Sequence, residues 1–118
     1  MTSLPVGRID EIVVDCLDPA RLATFWSAVF ATDAVVRDPD WATVRDPATQ
    51  LTVAFQRVPE PKQVKNRLHL DVAVPELASA TASCVALGAS AVGGVVHDEQ
   101  GAFQVMLDPE GHEFCLVT

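Results

Sequence analysis

The sequence states one pattern twice, and that repetition restricts the possible fold more than any single motif within it. The run "RIDEIVV" from Arg8 is echoed by "RLHLDVAV" from Arg67, and "RDPATQLTVAF" from Arg45 is answered by "LDPEGHEFCLV" from Leu107, so that Asp46-Pro47 falls on Asp108-Pro109. Each half reads as a strand, a helix and three further strands. "GRIDEIVVDC" alternates and is rich in Ile and Val, as a half-buried strand is. Asp18 and Pro19 then suit the N-cap and first position of a helix, since proline lacks the N–H that would go unpaired there. Leu22, Phe25, Trp26, Val29 and Phe30 give that helix one apolar stripe. "DAVVRD", "WATVRD" and "QLTVAFQRV" follow as β-rich runs, separated by the turn sequences "DPD" and "DPATQ".

The second half repeats the order. "RLHLDVAV" is a strand, and "PELASATASCVALG" is a helix with Leu77, Ala80, Cys84 and Leu87 on one face and Gly88 at its C-terminal cap. "ASAVGGVVH", "AFQVMLD" and "HEFCLV" complete the set. Between the halves lies "PEPKQVKN", polar, with two prolines and both lysines of the chain, which reads as a linker. The expected architecture is α+β: a single domain over 1–118, with module one at about 8–57, a linker at 58–66 and module two at 67–117. The modules are expected to form a curved mixed sheet around a cavity, with the helices on the outer face.

Strand alternation sorts the side chains. Ile12, Val14 and Cys16 share one face of the first strand, and Leu68, Leu70, Val72 and Val74 one face of the fifth; these are the faces for helices to cover. Glu11, Val13 and Asp15, and His69, Asp71 and Ala73, then face a polar-lipped cavity. The "DPEG" at 108–111 fits a type I turn between antiparallel strands. His97 and His112 are expected at water-exposed strand ends.

Composition narrows the function classes. With 118 residues, 49% of them hydrophobic and 20% charged, the chain is long enough for one well-buried core. A formal charge of −8 and the lack of any Lys/Arg cluster argue against nucleic acid. No apolar run reaches the length of a membrane span, and "MTSLPVGRID" has no signal-peptide pattern, so no membrane partner and a cytoplasmic location are expected. Cys16, Cys84 and Cys115 are an odd set without paired spacing and read as thiols.

The segments "DPARLATFWSAVF", "RLHLDVAV" and "LDPEGHEF" resemble the vicinal oxygen chelate superfamily, and within it the small glyoxalase/bleomycin-resistance-like proteins, over about Arg8 to Val117. In its metal-dependent members, four inward positions on the first, fourth, fifth and eighth strands bind one divalent ion. Carried over, the resemblance places these on Glu11, Val53, His69 and Cys115. Only His69 matches the family's pattern. Val53 cannot ligate, Cys115 replaces a carboxylate, and Glu11 stands where a nitrogen or amide ligand is usual.

Glu11, His69 and Cys115 are therefore the candidate metal set, for Zn, Ni, Mn or Fe, and oxygen, nitrogen and sulfur donors together suit zinc. Against it, buried cysteine is a common apolar core residue, and the expectation is no cofactor. Candidate ligand-binding residues are Glu11, Asp15, Trp41, Val53, Phe55, His69 and Cys115, with Val53 and Phe55 taken as an apolar cavity wall. His69 and Asp71 are the catalytic candidates, as a histidine beside a carboxylate can move protons. The resulting expectation is a protein that binds a small, partly apolar molecule in a metal-free cavity. The alternative is a metal-dependent lyase, isomerase or dioxygenase with an atypical Glu/His/Cys site. A typical glyoxalase I is not expected, and the resemblance also implies a homodimer.

Overall fold

A computed structural model describes residues 3–118. The elements run β1 (Ile12–Cys16), α1 (Pro19–Val29), β2 (Ala34–Asp38), β3 (Trp41–Arg45), β4 (Thr52–Arg57), β5 (Leu70–Ala73), α2 (Leu77–Ala86), β6 (Ser90–Asp98), β7 (Gly101–Leu107) and β8 (Glu113–Val117). This is the doubled βαβββ order expected from the sequence. Hydrogen bonds gather the strands into two four-stranded mixed sheets, β1-β4-β3-β2 and β5-β8-β7-β6. In each sheet the first strand pairs in parallel with the last, while the other pairs are antiparallel. The chain divides into two compact units, one ending at Arg57 and one spanning Val58–Thr118.

In the first unit, the Asp18 carboxylate accepts the Arg21 N–H at 3.2 Å and Pro19 opens α1, as the cap sequence implied. The helix buries Leu22, Ala23, Phe25 and Trp26 and packs on β2, β3 and β4. Phe25 and Trp26 are neighbours in sequence yet both buried, edge to face with ring centroids 5.2 Å apart. Beneath them lie Ala42, Val44, Val53 and Phe55, all buried. Register places Ile12 beside Val53 and Val14 beside Phe55, so β1 adds its own apolar residues to that face.

In the second unit both Glu76 carboxylate oxygens cap α2, accepting the N–H groups of Ala78 at 2.9 Å and Ser79 at 2.8 Å. The hydrogen bonds from Ser79 and Ala78 hold the Glu76 carboxyl below the usual range. Leu77 and Cys84 are buried, and Gly88 ends the helix at φ +113, a conformation that suits glycine. Two expected core residues are not core: Leu87 is 43% exposed at the helix end, and Leu68 is 72% exposed because β5 begins only at Leu70. The covered face of the sheet is Leu70, Val72, Phe114, Leu116 and Met106, with one buried polar residue among them, Gln104. Its amide donates to the carbonyls of Val92 at 3.2 Å and Gly93 at 3.1 Å, where the β6–β7 register shifts. Gln104 thus satisfies backbone oxygens that the bulge takes out of the ladder.

The "DPEG" segment is a turn, closed by the Gly111 N–H donating to the Asp108 carbonyl at 2.9 Å. His112 departs from expectation: its side chain is nearly buried, with Nδ1 at 2.9 Å from Asp108 Oδ2. Asp108 Oδ1 also accepts the N–H groups of Glu110 and His112, so this carboxylate organises the whole turn.

The segment expected as a linker belongs to the second unit and is fixed to β8. Lys62 pairs with the Glu113 carboxylate, their side chains only 18% and 16% exposed. The Asn66 N–H donates to Glu113 Oε2 at 3.0 Å, and Asn66 Nδ2 donates to the Glu113 carbonyl at 3.1 Å. Desolvation pushes the Glu113 carboxyl upward, but hydrogen bonds from Lys62 and Asn66 outweigh it and lower its pKa from 4.5 to about 2. A depressed carboxylate pKa means the unfolded chain takes up the proton first. The clamp's stabilisation is therefore complete above about pH 4.5 and is lost as pH falls toward about 2. Glu113→Gln should flatten the fall in stability across that window, as read from urea midpoints at stepped pH. Equal slopes for variant and wild type would contradict the clamp.

Candidate functional site

The face of the second sheet turned away from α2 carries His69, Asp71, Cys115, Val117, Val105 and Phe103, by the alternation that buries Leu70, Phe114 and Met106 on the other side. Register aligns Asp71 on β5 with Cys115 on β8 and Val105 on β7, and the next row holds Ala73, Val117 and Phe103. On this face lies a cavity of about 500 Å³, the size of a small-molecule site. Its floor is Phe103, Val105, Cys115 and Val117. One polar end is formed by Lys65, His69 and Asp71; the other, at the β6–β7 turn, by Asp98, Gln100 and Thr118.

His69 Nε2 lies 3.2 Å from Asp71 Oδ1, with side chains 48% and 56% exposed. A pair this wet contributes little to stability. The Cys115 thiol is pushed up, first by desolvation and then by the Asp71 charge, with Lys65 acting in the opposite sense. The resting sulfur is a thiol rather than a ready nucleophile. Donor atoms of His69, Asp71 and Cys115 all lie within 4.8 Å of one another. Imidazole, carboxylate and thiolate so close together fit a borderline-soft divalent ion such as zinc, which could deprotonate the thiol on binding.

The remaining candidates belong to the first unit. Glu11 precedes β1 on the alternation of Val13 and Asp15, and Asp15 is exposed on the face opposite α1. Trp41 shares that face, since register sets it beside Gln56 and Gln56 beside Asp15, and the Arg37 guanidinium lies 5.3 Å from its ring centroid.

Val53 and Phe55 do not share it, which corrects their expected place on a cavity wall. Both are buried on the face that α1 covers. The reason is one residue of turn length. The Asp108 N–H closes its turn on the His112 carbonyl, four residues on, whereas the Asp46 N–H closes on Leu51, five residues on, with Gln50 at φ +66 taking up the extra residue. Matching the two Asp-Pro motifs therefore slips the following strands by one, and a one-residue slip exchanges their faces. Structurally, Val53 answers Phe114, and Ala54 answers Cys115. Alanine offers no ligand atom either, so the first unit has no donor at that position.

Lys65, Asp98, Gln100, Phe103, Val105, Val117 and Thr118 were not singled out from the sequence. The signal for Val117 and Val105 was present, as they follow from Cys115 by strand alternation and pairing. For Lys65 there was none, because the clamp that places it joins residues 47 and 51 apart in sequence.

A family model described as the glyoxalase-like domain matches residues 11–117. No curated protein is matched. Among solved structures, a glyoxalase/bleomycin resistance protein/dioxygenase family enzyme from Burkholderia phytofirmans is similar at TM-score 0.76 and 16% identity, over 92% of this chain and 95% of that one. A fosfomycin resistance protein, FosX, from Listeria monocytogenes, complexed with Mn(II) and 1S,2S-dihydroxypropylphosphonic acid, is similar at TM-score 0.76 and 16% identity, over 97% and 90%. A glyoxalase/bleomycin resistance protein from Albidiferax ferrireducens is similar at TM-score 0.68 and 20% identity, over 92% and 97%. At these identities the likeness is one of fold.

Proposed function

This chain belongs to the glyoxalase-like domain family, and on that premise we propose that it binds a small, partly apolar molecule in the cavity of its second unit, without a metal. The observation that carries this is the floor: Phe103, Val105 and Val117 supply apolar area, and the polar groups stand at the two ends, where they can orient a ligand. Fluorescence of N-phenylnaphthylamine, an uncharged apolar probe that brightens out of water, tests it. Val105→Trp fills the floor and should weaken the probe by about tenfold or more, the loss of roughly 1.4 kcal/mol of contact. Binding that this variant leaves unchanged would contradict the reading. The same reading includes a cytoplasmic homodimer, and a monomer mass by light scattering would contradict the dimer.

The approach of His69, Asp71 and Cys115 favours one second reading, a metal-dependent lyase, isomerase or dioxygenase. The three residues would hold the ion from β8 and the start of β5, with Glu11 no longer needed. Such an ion supplies Lewis-acid polarisation of a substrate oxygen. His69 and Asp71 would then act as ligands and not as an acid–base pair. Equilibrium dialysis against zinc, nickel, manganese and ferrous iron separates the readings: near-stoichiometric metal that is lost in both His69→Ala and Cys115→Ala selects the second.

A further inference from the structure

We propose that Lys65 is the anion-recognising group of this cavity, held in position by the clamp of Lys62, Asn66 and Glu113, so that the ligand joins an apolar body to a single anionic oxygen group. This rests on the cavity reading above. Lys62 is neutralised by Glu113. Asp71 has His69 at 3.2 Å. Asp98 Oδ1 accepts the N–H groups of Gln100 at 2.9 Å and Gly101 at 3.1 Å, capping its own turn. Lys65 lines the same cavity and makes no ion pair among the described residues.

Lysine is flexible, and fixing it on a ligand costs side-chain entropy. Here the backbone is tied down at the next residue, whose N–H donates to Glu113. Lys62 is tied to β8 through Glu113, and Asn66, the next residue after Lys65, is tied there by two hydrogen bonds. The segment that carries Lys65 is thus held beside β8, which lowers the cost of ordering its side chain on a ligand. A compact ammonium with three donors suits a carboxylate or sulfonate. One anionic group is favoured over several, because a chain of formal charge −8 repels polyanions. The apolar body would lie over Val105 and Phe103, toward the β6–β7 turn.

Two probes of one skeleton test this: anilinonaphthalene sulfonate, which is anionic, and neutral N-phenylnaphthylamine, both titrated by fluorescence. Lys65→Met should weaken the sulfonate about tenfold, as expected for a lost charge-assisted hydrogen bond, and the neutral probe less than about twofold. Lys65→Arg should keep the sulfonate within about threefold, since the charge remains. Lys62→Met, which opens the clamp and leaves Lys65 in the chain, should weaken the sulfonate more than the neutral probe. Equal losses of both probes in Lys65→Met, or no loss, would overturn the assignment of Lys65 while leaving the cavity intact. Failure of both probes to bind, or binding indifferent to Val105→Trp, would remove the cavity reading and this inference with it.

Discussion

Phe114→Ala is expected to remove about 3–5 kcal/mol of stability, whereas Cys115→Ala, one residue along the same strand, should change it by about 0.5–1 kcal/mol. Phe114 is 1% exposed and pairs with Leu70 on one side and Met106 on the other, under α2. Truncation leaves a cavity whose walls are β-strands held in register, which cannot close around it, so the lost contacts and the void both count. Cys115 points to the opposite face, where solvent or a ligand replaces what its side chain gives up. Urea unfolding of the two variants measures the difference. Comparable losses would mean that β8 does not present two distinct faces, and the site built on its alternation would fail.

Gly101→Ala should cost about 1–3 kcal/mol and also weaken cavity ligands. Gly101 has φ +146, and an added Cβ would meet the Thr118 carbonyl oxygen at 2.3 Å. Neither strain can be relieved by a side-chain rotation, because both involve backbone. The β6–β7 turn must shift against Thr118, and both line the cavity. Gly94, in β6, is the control: its added Cβ meets nothing within 4 Å and its φ is an ordinary one, so Gly94→Ala should be nearly neutral. Thermal unfolding with a probe titration reads both effects. Equal behaviour of the two variants would contradict the described turn.

Much of the fold was legible because it is written twice in patterns that short-range physics enforces. Asp18-Pro19 reads as a helix start because the apolar stripe of Leu22, Phe25 and Trp26 follows it, and the alternation of "RLHLDVAV" sends Leu70 and Val72 one way and His69 and Asp71 the other. Cys115 likewise follows from a strand that begins just after a well-marked turn. What sequence could not show depended on geometry that local pattern does not carry. A single additional residue between Asp46 and Leu51 moved Val53 and Phe55 to the covered face, although the Asp-Pro motifs match. The polar run from Val58 to Asn66 has a linker's composition, yet Glu113 draws it onto the sheet. The buried amide of Gln104 makes sense only beside the β6 bulge that it satisfies.

The most direct test of the central claim is an amide correlation NMR titration of chelator-treated protein with N-phenylnaphthylamine. A metal-free binding cavity predicts saturable shifts concentrated at Phe103, Val105, Cys115 and Val117, unchanged when zinc is then added. The absence of shifts until zinc is present, with the first changes at His69, Asp71 and Cys115, would contradict it and make the cavity a metal centre.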